Sequence, residues 1–321
     1  MKINTQVNLA GIFMKNPVMP ASGTFGYGRE YSEFFDLNKL GALVTKAVTL
    51  TDRIGNPPPR ICETPSGMLN SIGLQNPGID YFFEVALPFI EQYDVPLIVN
   101  VSERTVEDYA SAAKRLSIPR VSGLEINISC PNVKVGGMVF GTDPVATKEV
   151  VAAVREATTK PLIVKLSPNV TNIASIARAA YEAKADALSM INTLSGMAID
   201  ARTGEALIHG AGRYTGGLSG PCIKPVGLRC VYEVYKSGIP LPIVGMGGIN
   251  NENDAVEYIR AGATAVAVGT ANFVNPTACV DIIKGIESFM RKNKISSFDE
   301  LMGKVKEPNS QTLYPTPPKK P

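Results

Sequence analysis

The chain has 321 residues, of which 45% are hydrophobic and 19% are charged. That charged fraction lies below the roughly 25% of an average soluble protein, so the sequence can fill a large core and is not disordered as a whole. The net charge of only +3 excludes a nucleic-acid backbone as the main partner. A single histidine, His209, excludes zinc sites that need several imidazole ligands.

Five cysteines are scattered along the chain and form no C-x-x-C pair. This pattern indicates neither a disulfide framework nor an internal metal cluster, and it favours a reducing, cytoplasmic location. A polar N-terminal segment and the lack of an apolar run of about 18 residues predict no membrane association. For Cys62, Cys222, Cys230 and Cys279 we expect inert packing in the core.

Eight short apolar runs alternate with longer helical patterns along the chain. Nearly continuous apolar runs are typical of parallel strands that are covered on both faces. The predicted strands are Pro17–Ala21, Ala42–Val48, Pro96–Val101, Gly123–Ile128, Pro161–Leu166, Ala187–Ile191, Pro242–Val244 with Gly245, and Ala265–Val268. The predicted helices span about 29–40, 78–93, 103–117, 143–158, 171–184, 221–237, 251–261 and 275–291.

Several helix ends carry recognisable signals. Asp143-Pro144 and Asn275-Pro276 each place an N-cap residue beside a proline suited to the first helical turn. Gly238 and Gly262 stand where a helix ends in a left-handed residue.

Eight strand–helix units in one chain predict a (β/α)8 TIM barrel. A doubly wound open sheet is the alternative, but Gly245-x-Gly247-x-x-Asn250 lacks the third glycine of its nucleotide-binding motif. We expect a hairpin around Ala10-Gly11 that caps the bottom of the barrel, a single domain over 1–305 and a flexible tail over 306–321.

Three long connections, 49–77, 129–142 and 193–220, all follow a strand and precede a helix. In a barrel such loops lie at the C-terminal face, where active sites form, so we expect a functional site there.

Nearly every predicted strand ends in a polar or flexible residue. The lysines at positions 46 and 165 are each embedded in an apolar strand, which favours contact with an anionic or electron-rich ligand over a buried ion pair. The glycines after the seventh and eighth strands favour a phosphate site, with ordinary turns as the alternative. The strand-end residues are Ser22, Lys46, Asn100, Asn127, Lys165, Asn192-Thr193, Gly247-Gly248 and Gly269-Thr270.

Cys130 begins the second long loop and is a candidate general base, with inert packing as the alternative. The segment from Asn70 to Gly78 adds amide groups suited to a neutral polar ring. A phosphate-anchored ligand beside two lysines fits both flavin mononucleotide (FMN) and pyridoxal phosphate, and the pattern does not decide between them.

In this order, the motifs resemble the dihydroorotate dehydrogenase family over about residues 5–290. The segments that carry the resemblance are Pro20–Gly26, Thr45-Lys46, Asn70–Gly78, Asn127–Val133, Lys165–Pro168, Asn192-Thr193, Gly216–Gly220, Gly247-Gly248 and Gly269-Thr270.

The resemblance implies an FMN enzyme that oxidises dihydroorotate to orotate in pyrimidine biosynthesis, with Cys130 as the base. It implies FMN contacts from Ser22, Lys46, Ala47, Asn100, Asn127, Lys165, Ile191, Gly217, Gly247, Gly248, Gly269 and Thr270. It implies substrate contacts from Lys46, Asn70, Ser71, Ile72, Gly73, Leu74, Asn127, Asn192 and Thr193.

Cysteine at position 130 resembles the soluble class of the family, since the membrane-bound class has serine there. The segments Gly73–Gly78 and Lys134–Gly141 are similar to the NAD-linked form. That form implies a heterotetramer in which a homodimer of this chain binds a partner subunit carrying FAD and a [2Fe–2S] cluster. The alternatives are a fumarate-using homodimer, a dihydropyrimidine dehydrogenase-like subunit, and a non-catalytic barrel that binds a phosphate ligand.

Overall fold

The computed structural model describes residues 3–129, 134–135, 138–208 and 214–306. Its centre is a sheet of eight parallel strands, one from each predicted run. In chain order the barrel strands are Val18–Pro20, Leu43–Val44, Leu97–Val101, Gly123–Asn127, Leu162–Lys165, Ala187–Met190, Ile243–Met246 and Ala265–Val268. The second strand is shorter than predicted, and its run continues only as an isolated bridge between Val48 and Val101.

The strands follow one another around the sheet in chain order, and the eighth pairs with the first. Val266 lies opposite Val18 in that pairing. The first and second strands meet where Gly41 N donates to Val18 O over 2.9 Å. A Cβ at position 41 would lie 2.1 Å from Asn16 O, so this contact requires glycine. The predicted TIM barrel is therefore confirmed, and the open sheet is wrong.

Helices cover the outside of the barrel, and the layer between strands and helices forms the larger apolar core. A first helical span combines Gly78–Tyr81, a π-helical turn at Phe82–Ala86, and Leu87–Ile90. The other α-helices are Val106–Leu116, Pro144–Ala157, Ile173–Glu182, Lys224–Lys236, Glu252–Ala261, Ala271–Val274 and Ala278–Lys292. Short 3-10 turns lie at Tyr31–Glu33, Leu37–Lys39, Phe140–Thr142, Pro221–Ile223 and Phe298–Glu300.

The helix predicted over 29–40 is wrong, because only two separate 3-10 turns form there. Asp36 adopts an extended conformation between them, and its side chain accepts from Asn38 N over 3.0 Å. A side chain that caps a new turn in this way competes with continuation of the helix.

The signals at the helix ends have mixed outcomes. Asp143 accepts from the N–H groups of the first turn after Pro144, which confirms that start. Gly238 and Gly262 both have positive φ, as predicted. The last long helix begins at Ala278 rather than at 275, because Asn275 ends the short preceding helix and its side chain accepts from Thr277 N over 3.0 Å.

The predicted N-terminal hairpin is present, with Val7–Leu9 paired to Ile12–Met14. Leu9, Ile12 and Met14 are at most 3% exposed and belong to the apolar cluster inside the barrel. That cluster includes Ala187 and Ala265, the first residues of their strands. The hairpin therefore closes the N-terminal end of the barrel.

Two of the long loops form a sheet that the sequence analysis does not predict. Ile61–Thr64 and Gly67–Asn70 make a hairpin, and Gly216–Ser219 pairs with both Gly67–Asn70 and Leu194–Gly196. All pairings are antiparallel, and the sheet lies over the carboxyl ends of the barrel strands, where its residues line a cavity. Loop 129–142 contributes a small pairing between Lys134–Val135 and Met138–Val139.

Among the residues that the structure describes, no helix is both long enough and apolar enough to cross a membrane.

Replacement of Leu9 by alanine tests the role of the hairpin as a plug. Because Leu9 is fully buried inside the barrel, we expect Leu9→Ala to lower the free energy of unfolding by about 3 kcal/mol. Urea denaturation of the purified protein measures this change. Phe13→Ala is the matched control, since Phe13 lies on the same hairpin and is 76% exposed; its change is expected to stay within about 0.5 kcal/mol. Equal losses of unfolding free energy in Leu9→Ala and Phe13→Ala would contradict the role of the hairpin as a plug.

Candidate active site

One large cavity of about 1420 Å³ opens at the carboxyl ends of the barrel strands. Its wall contains at least one residue from the end of every barrel strand, together with residues of the antiparallel sheet. All predicted site residues except Cys130 line it, namely Ser22, Lys46, Ala47, Asn70, Ser71, Ile72, Gly73, Leu74, Asn100, Asn127, Lys165, Ile191, Asn192, Thr193, Gly217, Gly247, Gly248, Gly269 and Thr270.

Cys130 lies outside the described residues, and so does His209. The expectation of inert packing is confirmed for Cys230 and Cys279, which are buried and whose thiol pKa values are raised by burial. It is wrong for Cys222, which is exposed, and for Cys62, which is half-buried in the wall of the cavity. Cys62 belongs to the antiparallel sheet that covers the cavity, and Cys222 lies in the 3-10 turn that follows this sheet.

Two lysines bring positive charge to the cavity. Lys165 is 3% exposed, and its Nζ donates to Ser22 Oγ over 3.1 Å. Lys46 is half-buried, and burial, followed by repulsion from Arg60, lowers the pKa of its ammonium group. Within the described ranges neither lysine forms an ion pair with a carboxylate. Buried cations of this kind favour an anionic or electron-rich ligand.

Amide and hydroxyl groups at the ends of the fourth and sixth barrel strands form a hydrogen-bonded cluster. Asn127 Oδ1 accepts from Ser129 Oγ at 2.6 Å and from Asn192 Nδ2 at 3.3 Å. Asn192 Nδ2 also contacts Ser129 Oγ, and Asn192 Oδ1 accepts from Thr193 N at 2.9 Å. These contacts fix the orientations of both carboxamides. The Nδ2 of Asn127 has no acceptor among the described residues and is available to a ligand.

A second polar group lies inside the barrel. Asn100 is fully buried, and its Nδ2 donates to Glu125 Oε2 over 2.5 Å. The other oxygen of Glu125 accepts from Ser189 Oγ over 2.7 Å. Asn100 Oδ1 is buried and has no hydrogen-bond partner among the described atoms, although Asn100 lines the cavity. The sequence analysis missed Glu125, although it is a charged residue within an apolar run, which is the signal that identified the two lysines.

The turn after the seventh strand permits a close approach of backbone groups. Gly248 has φ +73°, and a Cβ there would lie 2.8 Å from Gly220 O. The N–H groups of Gly248 and Thr270 find no acceptor in the part of the chain that the structure describes. Asp254 holds the turn from behind by accepting from Asn250 N at 2.9 Å and from Lys224 Nζ at 2.6 Å. Free N–H groups beside glycine are suited to a phosphate.

The loops 49–77 and 193–220, with the antiparallel sheet that they form, make a roof over the cavity. Hydrogen bonds between the segments of this roof hold it in place. Asn70 Nδ2 donates to Gly217 O at 3.2 Å, and Asn56 Nδ2 donates to Ser71 O at 2.7 Å. Leu74 has a positive φ of 58°, and Asn76 Nδ2 donates to its carbonyl over 2.8 Å. The predicted amide segment is therefore held in a fixed position facing the strand ends.

A buried carboxylate anchors one edge of the roof. Glu103 is 4% exposed; it accepts from Leu50 N at 2.5 Å and from Arg53 at 3.0 Å. Burial raises the pKa of this carboxyl group, and the contacts with Leu50 and Arg53 act against that rise. Glu103 follows the third barrel strand, so the roof is fastened directly to the barrel.

The described residues contain no group of three or more histidine, cysteine, aspartate or glutamate side chains that could hold a metal ion.

Comparison with known proteins agrees with this geometry. The sequence model of the family described as "Dihydroorotate dehydrogenase" matches residues 4–290. A protein of Geotalea daltonii is 55% identical over 306 residues, which cover 95% of this chain and 99% of that protein. One of Anoxybacillus flavithermus is 53% identical over 309 residues, which cover 96% and 97% of the two chains.

Both relatives carry the name "Dihydroorotate dehydrogenase B (NAD(+)), catalytic subunit". A protein of Geotalea uraniireducens with the same name is 54% identical over 94% of this chain and 98% of its own length. Since the family match covers most of the sequence and these relatives align over nearly their full lengths, the chain belongs to the dihydroorotate dehydrogenase family.

Proposed function

We propose that this chain is a catalytic subunit that oxidises (S)-dihydroorotate to orotate in the synthesis of pyrimidines, with FMN as its cofactor. The observation that carries the proposal is the cavity at the strand ends, where two lysines meet a set of oriented amides. Among the described residues neither lysine has a carboxylate partner. Membership of the family supports the reaction, and the names of the relatives support NAD+ as the final acceptor.

The residues of the cavity fit FMN. The N–H groups of Gly248 and Thr270, which have no acceptor within the described ranges, suit its phosphate. Asn100 Oδ1, which has no donor there, suits an N–H group of its ring. Lys165 supplies positive charge beside a ring that becomes more negative on reduction. We assign FMN binding to Ser22, Lys46, Ala47, Asn100, Asn127, Lys165, Ile191, Gly217, Gly247, Gly248, Gly269 and Thr270. When bound, FMN supplies the acceptor for the hydride that leaves C6 of dihydroorotate.

Dihydroorotate combines a carboxylate with a cyclic ring of amide groups, so its recognition needs both a cation and amides. Lys46 supplies the cation, and the roof segment faces the amides of the strand ends. We assign substrate binding to Lys46, Asn70, Ser71, Ile72, Gly73, Leu74, Asn127, Asn192 and Thr193.

The loss of hydride from C6 requires that a base remove a proton from C5, so that the ring double bond forms. We assign this step to Cys130, whose Sγ takes the C5 proton. The oriented amides of Asn127 and Asn192 hold the pyrimidine ring during that transfer, and positioned acid–base groups of this kind contribute roughly 10²–10⁴-fold to rate.

We propose further that the chain works in the cytoplasm as a homodimer bound to two electron-transfer subunits that carry FAD and a [2Fe–2S] cluster. The support is the name of the relatives, which describes each of them as a "catalytic subunit" and gives NAD(+) as the acceptor. In this arrangement the electrons leave the cavity for NAD+ through the partner subunit.

We expect the purified protein to be yellow and to lose its visible flavin absorbance when dihydroorotate is added without oxygen. A visible spectrum recorded before and after the addition measures both properties. A colourless protein would indicate a binding barrel without this catalysis. A flavin that dihydroorotate does not reduce, but that uracil reoxidises after chemical reduction, would indicate a dihydropyrimidine dehydrogenase-like subunit.

Replacement of the proposed base separates chemistry from cofactor binding. Cys130→Ala is expected to keep FMN and to slow its reduction by dihydroorotate at neutral pH by about 10²-fold or more. Stopped-flow absorbance measures the rate. Cys222→Ala is the control, because that thiol is exposed and lies outside the cavity wall, and it should reduce flavin at the wild-type rate. If Cys130→Ala is as fast as its control, the base is another group.

Coexpression tests the partner. We expect the chain to copurify with an iron–sulfur flavoprotein encoded by the same organism. We also expect the complex to reduce NAD+ when dihydroorotate is added, and the chain without its partner not to reduce NAD+. Size-exclusion chromatography followed by an NADH absorbance assay measures both. Rapid fumarate reduction by the lone chain would instead indicate the homodimeric form of the enzyme.

A further inference from the structure

Glu125 is a buried carboxylate whose role the proposed reaction does not explain. It is 4% exposed on the fourth barrel strand and is absent from the cavity wall. Branched apolar residues usually fill this part of a barrel. No cation forms an ion pair with Glu125 in the described chain, and its two oxygens accept only from Asn100 and Ser189. Apolar residues of similar volume often replace buried charged groups without loss of stability, so packing alone does not account for Glu125.

The contact with Glu125 fixes which end of the Asn100 carboxamide faces the cavity. The NH2 group of Asn100 faces Glu125, because an amide NH2 group only donates hydrogen bonds and a carboxylate oxygen accepts them. No other side-chain hydrogen bond of Asn100 is present among the described residues. Its backbone N–H donates to Thr45 Oγ1 at 3.2 Å, and its backbone carbonyl accepts from Val48 N at 2.8 Å. Oδ1 is thereby left as a buried acceptor without a partner.

A buried acceptor at the cavity selects a ligand that presents an N–H group, because an unsatisfied buried oxygen costs free energy. The oxidised ring system of FMN has a single N–H, at N3, between two carbonyl groups. If the carboxamide of Asn100 were reversed, its NH2 group would face N3–H, and two donors would oppose each other.

We propose that Glu125 is a positioning residue that holds Asn100 with its oxygen towards the cofactor, so that Oδ1 accepts from N3–H of the FMN ring. The inference rests on the proposed function, since it requires FMN in the cavity. It assigns Glu125 a role in cofactor recognition although Glu125 does not line the site.

The test uses the full chain stripped of its cofactor and reconstituted with FMN labelled with 15N at N3. In the wild-type protein we expect a slowly exchanging N3–H proton in the NMR spectrum. Glu125→Gln keeps the shape but can also donate, so Asn100 is free to reverse. We expect this variant to lose the slowly exchanging signal and to bind FMN about tenfold more weakly.

Two further variants separate positioning from general loss of structure. Ser189→Ala removes the other hydrogen bond of Glu125 but leaves the contact with Asn100, so it should keep the N3–H signal. Asn100→Ala should lose the signal. If Glu125→Gln does not fold, Glu125→Leu takes its place, and we expect the same loss of the N3–H signal. An apolar residue also leaves the carboxamide of Asn100 free to reverse, and it is tolerated in a barrel interior.

The proposal is overturned if wild-type protein with bound FMN shows no protected N3–H, or if a folded Glu125 variant keeps the signal. Loss of the signal in Ser189→Ala, or loss of all FMN binding in a folded Glu125 variant, would also overturn it, since either result points to a general structural role. A wild-type protein that binds no FMN would instead contradict the proposed function itself.

Discussion

The closure of eight parallel strands is the constraint on which the site depends. It points every second side chain of each strand inwards and brings all carboxyl ends to one rim. The interior changes from apolar to polar along the barrel axis: Leu9 and Ile12 fill the lower end, Glu125 and Asn100 lie in the middle, and Lys165 lies near the rim. The apolar lower part stabilises the fold, which allows the rim to hold two lysines that form no ion pair with a carboxylate among the described residues.

The sequence predicts the parts of the structure that local chemistry determines. Apolar runs locate all eight strands, and a residue at or close to the carboxyl end of each run lines the cavity, as Lys165 does. Asp143-Pro144 starts a helix because capping is a local interaction. Glu125 carries the same signal as the two lysines, a charge within a largely apolar run, but the sequence analysis considered only the residues near the strand ends. The role of Cys130 stays a prediction that only the kinetic experiment addresses.

The antiparallel roof has a different origin, which explains why the sequence does not predict it. Gly216 and Gly217 are poor strand formers in isolation. Their strand pairs with a segment about 150 residues earlier, where Gly217 lies opposite Asn70. At position 217 a Cβ would lie 2.2 Å from Thr193 Oγ1, so glycine is required by a contact between distant segments. The absence of a helix over 29–40 has a local cause, because the side chain of Asp36 caps a new turn and so prevents one continuous helix.

The N-terminal plug sets the order in which the protein can mature during synthesis. Its residues leave the ribosome first, yet the surface that buries Leu9 includes Ala267 of the last strand. The first strand likewise lacks its partner until the eighth strand has been synthesised, since Val18 pairs with Val266. Contacts so far apart in sequence form late. A nascent chain that stops before the eighth strand therefore exposes the apolar side chains of the hairpin, which makes incomplete chains recognisable to chaperones and proteases.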